Sequence, residues 1–349
     1  LGDSSGNQIS DTSSVLLNGS GSFDLAGFSE TIDGLAGAGT VTTSGVSTFT
    51  IGGNNSAGLS PYTPAAAAAG VNATGLNFFS GTLSNGTGTL SLTKTGSGTQ
   101  IIAAAQAYSG ATTISAGTLQ LGIANALPGG AGKSVVTLAG NNRGTNVGPA
   151  AASGADRVLA PGTLDMGGFS QAINGLDSST GGIVTNNPTL AYDGSTWSVA
   201  AGRQGTKTLT LGNSSAQNPN FSGVIQDGFT VQPGVTATGF VGAINLVKTG
   251  TNTQTMSGQS TYSGTTVIQE GVIIAAGGTN RLPSTTAVSL GNVGASGLLQ
   301  LGDGTGAISQ TIAGLATSGS GTANAVVGGS ASNSTLILNQ TGTSTYAGA

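Results

Sequence analysis

The chain repeats itself, and this internal repetition constrains its fold more than any other feature. One block, rich in glycine and ending in Gly-Leu, occurs at residues 21–35, 162–176 and 297–315. A second block, an apolar run followed by a Thr-Gly turn, occurs at residues 90–100, 244–254 and 336–348. The blocks keep their order, so we infer a super-repeat of roughly 140–155 residues that is built from several short strands.

The repeats divide the chain into copies without an obvious linker between them. We predict a first copy at residues 1–128, a second at 129–283 and a partial third at 284–349, all within one continuous solenoid. The chain begins where a copy would be finishing and stops where the third copy is under way. We therefore expect the array to continue in both directions.

The segment from 108 to 122, YSGATTISAGTLQLG, shows how one unit folds. Thr112 and Ile114 share one side of a strand, as do Leu119 and Leu121, because side chains alternate with a period of two. Gly117 lies between the two runs, where a corner favours a residue without Cβ. Two-residue hairpin turns are few, so a coiled parallel sheet with coils about 4.8 Å apart is favoured over hairpins. The sequence predicts an all-β fold, a parallel β-helix (β-solenoid) forming a single continuous rod.

Composition narrows the functions that such a fold could carry. Charged residues make up 6% of the chain, against about 25% in average soluble domains, and glycine numbers 63. Histidine and cysteine are both absent, which removes the usual general base near neutral pH and zinc–thiolate sites. The pI of about 4.4 disfavours nucleic acid as a partner, and no apolar run is long enough for membrane insertion as a helix.

The unit that follows the second block resembles the autotransporter-associated β-strand repeat (passenger-associated transport repeat) family of bacterial surface and secreted proteins. The residues that carry the resemblance are Leu92, 94–99, 108–110, 112–114 and 117–121, and in part Leu246, 248–250, 262–264, 267–268 and Gly271. The resemblance implies a right-handed β-solenoid that is exposed outside the cell. It implies no single activity.

Several residues recur at equivalent positions and are the candidates for chemistry. Asp24 and Asp165 could belong to a carbohydrate-active site, but their recurrence favours a structural role in a turn or a hydrogen bond. Lys94 and Lys248 could contact a ligand, and we favour solvated turn lysines that discourage edge pairing. We assign no catalytic, cofactor-binding or metal-binding residue and expect no cofactor.

Aromatic residues offer one further set of candidates for ligand binding. Tyr108, Tyr262 and Tyr346 each precede Ser-Gly or Ala-Gly, and we favour a stacked aromatic ladder over a platform for sugars. Trp197 is the single tryptophan, and we expect it to be half-buried rather than a glycan-binding side chain.

The sequence thus predicts a non-catalytic, extracellular structural or adhesive segment of a large bacterial surface or secreted protein. Its partners would be the chain itself, through end-to-end or lateral association, or host and environmental surfaces and glycans. A segment of a self-assembling extracellular filament stays open as an alternative, and a β-helical carbohydrate-active enzyme as a second one. The signal and anchor would lie outside this segment.

Overall fold

The structure, a computed structural model, describes residues 7–52, 78–140, 161–178, 180–188, 190–192, 197–199, 202–212, 217–229 and 241–348. Every regular element in these residues is a β-strand of two to six residues, which confirms the all-β prediction. No helix occurs in the described ranges, and hence none that could cross a membrane.

Most strands lie on six parallel sheets. Two of these sheets follow one another on each side of the coil, and we call the three sides faces 1, 2 and 3. Face 1 contains β1 (Val15–Leu17), β4 (Leu35–Gly37), β7 (Phe78–Phe79), β10 (Thr99–Ile102), β12 (Thr118–Leu121), β14 (Thr163–Asp165), β17 (Ile183–Thr185) and β22 (Val224–Ile225), followed by β31 (Ser309–Ile312) and β34 (Thr335–Leu338). Face 2 contains β2 (Ser22–Asp24), β5 (Thr40–Thr42) and β8 (Thr82–Leu83), followed by β15 (Gln171–Ile173), β20 (Lys207–Leu211), β25 (Ile244–Lys248), β27 (Thr266–Ile268), β29 (Ala287–Leu290) and β32 (Gly314–Thr317).

Face 3 contains β3 (Glu30–Ile32), β6 (Val46–Ile51), β9 (Thr89–Lys94), β11 (Thr112–Ile114), β13 (Val136–Leu138) and β16 (Leu176–Asp177), followed by β21 (Asn220–Phe221), β26 (Thr253–Met256), β28 (Gly271–Ala275), β30 (Gly297–Leu301) and β33 (Ala325–Gly328). A parallel bridge between Ser178 and Phe221 joins the two halves of this face. The chain passes faces 1, 2 and 3 in turn, as in a parallel β-solenoid. Two circuits cross face 2 without forming a strand there, between β10 and β11 and between β12 and β13, and two cross face 1 without one, between β26 and β27 and between β28 and β29.

Two antiparallel hairpins interrupt this winding. They pair β18 (Leu190–Tyr192) with β19 (Trp197–Val199), and β23 (Gly228–Phe229) with β24 (Val241–Gly242). All pairings within the three faces are parallel, which confirms that the main ladders are not hairpins.

Alternation along each strand builds the core. In β11 and β12, Ile114, Leu119 and Leu121 are fully buried, as the period of two predicts. Ile114 stacks between Lys94 and Leu138 on neighbouring strands. Each fully buried aliphatic side chain contributes about 1.5–3 kcal/mol, and it needs coils on both sides to be covered.

The predicted corner at Gly117 is also present. Its φ of +64° lies in the left-handed region, and a Cβ there would stand 2.3 Å from the carbonyl oxygen of Gly96 in the preceding coil. Only glycine fits this corner without displacing the neighbouring backbone.

Buried glutamines complete the coils where a strand is too short to pair along its whole length. Gln100 accepts a hydrogen bond from Leu35 N (3.1 Å) and donates to Leu35 O (2.9 Å). Gln254 makes the same two bonds with Leu176, at 3.0 and 2.9 Å. The primary amide therefore replaces a strand neighbour, donating and accepting as a peptide group would.

The same amide pairing recurs at a second kind of corner. Gln171 pairs with both backbone groups of Leu127, and Gln310 with those of Leu282. Asn125 and Asn280, just before these leucines, adopt φ of +51° and accept hydrogen bonds from the next coil. Short amide side chains tolerate this conformation and supply the bond that fixes it.

The second copy is turned by one face relative to the first. Strands β9 and β11 of the first unit lie on face 3, whereas their equivalents β25 and β27 lie on face 2. In the same way, β12 lies on face 1 and its equivalent β28 on face 3. The super-repeat is therefore not a whole number of coils, and equivalent residues of the two copies point in different directions. The predicted copy boundaries at 128 and 283 stay a prediction.

Candidate binding surface and the repeated turns

The lysines of the repeated turn are buried, so the prediction that they are solvated was wrong. Lys94 is 2% exposed and Lys248 is fully buried. Alternate residues of each strand face inward, and each lysine occupies the last of these inward positions. Lys94, for example, follows the inward residues Leu90 and Leu92. The burial of these lysines could have been predicted from the sequence, because the two-residue period of a strand places each lysine on the same side as the core leucines.

Each ammonium group closes a turn by donating to carbonyl oxygens. The Lys94 Nζ donates to Thr95 O (2.5 Å), Gly96 O (3.1 Å) and Ala116 O (3.4 Å). The last acceptor belongs to the following coil, so the side chain ties two coils together. Lysine at this position therefore caps the turn.

The Lys248 Nζ makes the equivalent bonds and one more. It donates to Thr249 O (2.6 Å), Gly250 O (2.7 Å), Asn252 Oδ1 (2.9 Å) and Glu270 O (3.4 Å). Burial lowers the pKa of both lysines from 10.5 to about 8, while the charges of Asp33 and Glu270 act in the opposite direction. Gly98 occupies the position of Asn252 in the first unit and cannot supply the extra acceptor.

The tyrosines of the repeat are internal. Tyr108 Oη lies 2.7 Å from Thr112 Oγ1, and Tyr262 Oη lies 2.6 Å from Thr266 Oγ1. Both rings are fully buried, and burial raises the pKa of both hydroxyls. Neither ring can serve as a platform for sugars, and several coils separate the two, so they anchor corners instead of stacking on each other. Tyr346 is half-buried.

The two equivalent aspartates hold turns, as their recurrence predicts. Asp24 is exposed and accepts a hydrogen bond from Ala26 N at 2.8 Å. Asp165 is 4% exposed and accepts from Gln120 Nε2, Gly167 N, and the backbone and side-chain nitrogens of Asn187, at 2.9–3.2 Å. Desolvation raises the Asp165 pKa, and these four bonds act against that shift.

The two remaining candidate features are a metal-binding group of carboxylates and the single tryptophan. Among the described residues, no group of three or more Asp or Glu side chains could hold a metal ion. Trp197 lies on β19 opposite Tyr192, and the prediction about the burial of its side chain falls outside what is described.

The surface that the coils present to solvent changes along face 3. Five successive strands place a threonine in one outward column, in register from coil to coil: Thr31, Thr50, Thr93, Thr113 and Thr137. Asp177 follows Thr137 in the same column, and on the far side of the Ser178–Phe221 bridge the column continues as Asn220, Thr255, Ile274, Gln300 and Val327. A half lined by threonine hydroxyls is thus followed by a half in which polar side chains alternate with Ile274, which is half-buried, and Val327, which is 36% exposed.

This column was not predicted from the sequence. Its members come from separate segments, and only the strand register brings them to a spacing of about 4.8 Å. The threonines lie in different blocks of the super-repeat, so no short motif contains the column. The candidate binding surface of the described residues is this outer side of face 3.

Comparison with known protein families identifies one family model that matches two segments of the chain. The model of the passenger-associated-transport-repeat matches residues 92–121 and again residues 246–275. The chain carries two copies of this repeat. Both matched segments contain the buried lysine, the internal tyrosine and the glycine corner described above, so the resemblance noted from the sequence is confirmed.

One curated relative also matches over a longer stretch. The adhesin BmaC autotransporter of Brucella suis biovar 1 (strain 1330) is 28% identical over 187 residues, which is 53% of this chain and 4% of that protein. The chain thus corresponds to a small part of that relative's length. No solved structure matches the chain.

Proposed function

We propose that this chain is a segment of a bacterial passenger region that stands outside the cell and serves as a stalk and adhesive surface without catalysis. The observation that carries the proposal is the pair of transport repeats within parallel ladders, each repeat closed by a buried lysine and a buried tyrosine. Such repeats supply their own stability coil by coil, because each coil covers the apolar residues of the next.

The winding that we propose is right-handed and continuous along the chain, as a single rod. Parallel strands joined by a crossover are right-handed in about 98% of cases. Continuity is supported by the bridge in face 3 and by backbone bonds elsewhere, such as Thr261 N to Ile225 O at 2.9 Å. A rod of this kind resists local unfolding and proteolysis, as an extracellular stalk requires.

Adhesion would work through many weak contacts along the rod. The outward threonines of face 3 offer hydroxyl and methyl groups without charge, and the relative that matches half the chain is named an adhesin. Single contacts of this kind are weak, but linked contacts raise the overall avidity by 10²–10⁴. Partners of suitable chemistry are uncharged glycans and the surfaces of host cells or of the environment.

The proposal that the segment lacks catalytic activity is supported by the carboxylates. Asp165 is buried and accepts four hydrogen bonds from protein donors, so its oxygens are occupied in the fold. Asp24, its equivalent, holds a turn on another coil. Glycoside hydrolysis needs two carboxyl groups that face one substrate, and these two do not.

Beads coated with the purified chain test the adhesive role. We expect saturable binding to host cells or glycan-coated surfaces, at least tenfold above beads coated with the Ile114→Asp variant, whose coils should be disrupted. Binding by the free chain should be far weaker than binding by the beads, because avidity is lost. Binding no higher than that of uncoated beads on every surface tried would contradict the adhesive role.

A further inference from the structure

The sequence contains three Asn-Gly pairs, at residues 18–19, 85–86 and 174–175, and all three lie in the described ranges. The dipeptide is reactive, because the glycine has no Cβ to hinder the approach of its backbone nitrogen to the side-chain carbonyl carbon of the asparagine. A fold suppresses this reaction when it holds the asparagine amide in a fixed position. The three pairs should therefore differ in reactivity according to how firmly each side chain is held.

Two of the pairs are held by hydrogen bonds. The Asn85 side chain donates to Ser109 Oγ at 2.7 Å and accepts from Ser109 N at 3.0 Å. The Asn174 side chain is fully buried, accepts from Gly130 N at 2.9 Å, and donates to the carbonyl oxygens of Gly130 and Lys133. Each of these amides has to break two or more hydrogen bonds before it can rotate toward the following nitrogen, and local opening of this kind is rare in a packed coil.

The pair at residues 18–19 is held differently. It lies in the turn between β1 and β2, where Asn18, Gly19 and Ser20 are all exposed. The turn is closed through the backbone, with Gly21 N donating to Asn18 O at 2.6 Å. Within the described ranges, the Asn18 side chain makes no hydrogen bond, and a Cβ added at Gly19 would meet nothing within 4 Å beyond its chain neighbours. The Asn18 amide can therefore rotate toward the Gly19 nitrogen without breaking any protein contact.

We infer that Asn18 is a site of spontaneous deamidation in the folded chain, whereas Asn85 and Asn174 are protected. The Gly19 nitrogen loses its proton and bonds to Asn18 Cγ, the bond from Cγ to the amide nitrogen breaks, and ammonia leaves with that proton. Water then opens the resulting succinimide at either carbonyl carbon. One opening gives aspartate in an ordinary main chain, and the other gives isoaspartate, in which the side-chain carbon has become part of the main chain.

Both products alter the first coil of the described chain. Each adds one negative charge to a chain whose net charge is −4. Isoaspartate also lengthens the main chain between β1 and β2, which pair in register with β4 and β5 of the next coil. The inference is independent of the proposed adhesive role, because it concerns a turn and not the outer side of face 3.

Incubation of the purified chain at mildly alkaline pH, followed by mass spectrometry of its chymotryptic peptides, tests the inference. We expect the peptide that contains Asn18 to gain about 1 Da, with isoaspartate as a product, about tenfold or more faster than the peptides that contain Asn85 and Asn174. In concentrated urea, where no fold holds the side chains, the three rates should agree within about threefold. Equal rates at the three sites in the folded chain would overturn the inference, as would a slower rate at Asn18.

Gly19→Ala separates the succinimide route from direct hydrolysis of the amide. The added Cβ has open space, and the φ of Gly19 lies outside the left-handed region, so the melting temperature should not change. The same Cβ hinders attack by the nitrogen of this residue, and the rate at Asn18 should therefore fall about tenfold. An unchanged rate at Asn18 in this variant would overturn the inference, because the backbone nitrogen would then take no part in the loss of the amide.

Discussion

The two transport repeats, residues 92–121 and 246–275, show which parts of the unit are fixed by folding and which are free to vary. Inside, both units keep a buried lysine, a buried tyrosine bonded to a threonine four residues later, and a buried isoleucine at the end of that strand. Outside, Thr118 and Gln120 of the first unit become Val272 and Ile274 of the second. The inner positions form the coil, and the outer positions determine what the coil can bind.

Because the second unit is turned by one face, the repetition does not place equivalent outer residues in one line. The residues that do line up come from unlike blocks, such as Thr93 of one unit and Thr137 outside it. The residues that line up on the outer surface of this chain are therefore determined by the register between neighbouring coils and not by the repeat. Outer positions can change in one copy without a matching change in the next.

The largest effect on stability is expected when a charged side chain is placed in the core of either transport repeat. Ile114→Asp and Ile268→Asp each put a carboxylate among fully buried neighbours, and each should lower the free energy of unfolding by about 4 kcal/mol or more. Thermal melting by circular dichroism and resistance to proteases measure the loss. Thr113→Asp and Val267→Asp, one residue earlier and outward, are the matched controls and should change stability by less than about 1 kcal/mol.

Equal losses in the two units would show that their cores are energetically equivalent despite lying on different faces. A melt of Ile114→Asp that coincides with that of the unmodified chain would mean that the inner and outer sides of β11 have been assigned the wrong way round.

The alternation of core residues could be predicted from the sequence, because it depends only on the two-residue period of a strand. The internal lysines should have been predicted by the same argument, since Lys94 is in phase with Leu90 and Leu92. The prediction of solvated lysines was wrong because a buried ammonium needs several acceptors, and these are not apparent in the sequence. Here backbone carbonyls of two adjacent turns supply them.

Other features depend on which coils become neighbours, and the sequence does not contain that information in any local form. The pairing of Gln254 with Leu176 joins residues 78 positions apart. The outward threonine column of face 3 has the same origin. Coil lengths vary because hairpins such as β18–β19 are inserted, so register cannot be counted forward along the chain.

An intermediate effect is expected when the amide of a coil-closing glutamine is removed. Gln254→Leu replaces the amide with an apolar side chain of similar size and leaves the N–H and C=O groups of Leu176 without their bonds, which should cost about 2 kcal/mol. Hydrogen exchange at the Leu176 amide should accelerate by roughly thirtyfold, as that free energy implies. Gln100→Leu should produce the same change at Leu35.

Thr253→Leu, on the outer side of the same strand, is the control and should leave exchange at Leu176 within about threefold of its original rate. Unaltered exchange in Gln254→Leu would show that water or the neighbouring backbone replaces the amide. A large effect in one unit and none in the other would show that the two coils close by different means.

A last effect appears only above pH 8 and concerns the protonation of the two internal lysines. Because the pKa of Lys94 and Lys248 is lowered to about 8 from 10.5, the folded chain binds fewer protons than the unfolded chain between these pH values. The free energy of unfolding should therefore rise as pH increases from 8 to 10.5, by up to about 3 kcal/mol for each lysine, and be independent of them below pH 8.

Urea unfolding at a series of pH values measures this rise, and the double variant Lys94→Met, Lys248→Met should lack it. The two lysines should not be identical, because Lys248 has Asn252 as a fourth acceptor and should keep its proton to a higher pH than Lys94. Asn252→Gly restores the sequence of the first unit at this position and should remove the difference. A fall in stability between pH 8 and 10.5 that disappears in the double variant would show that the carbonyl oxygens stabilise the ammonium ions more than burial destabilises them.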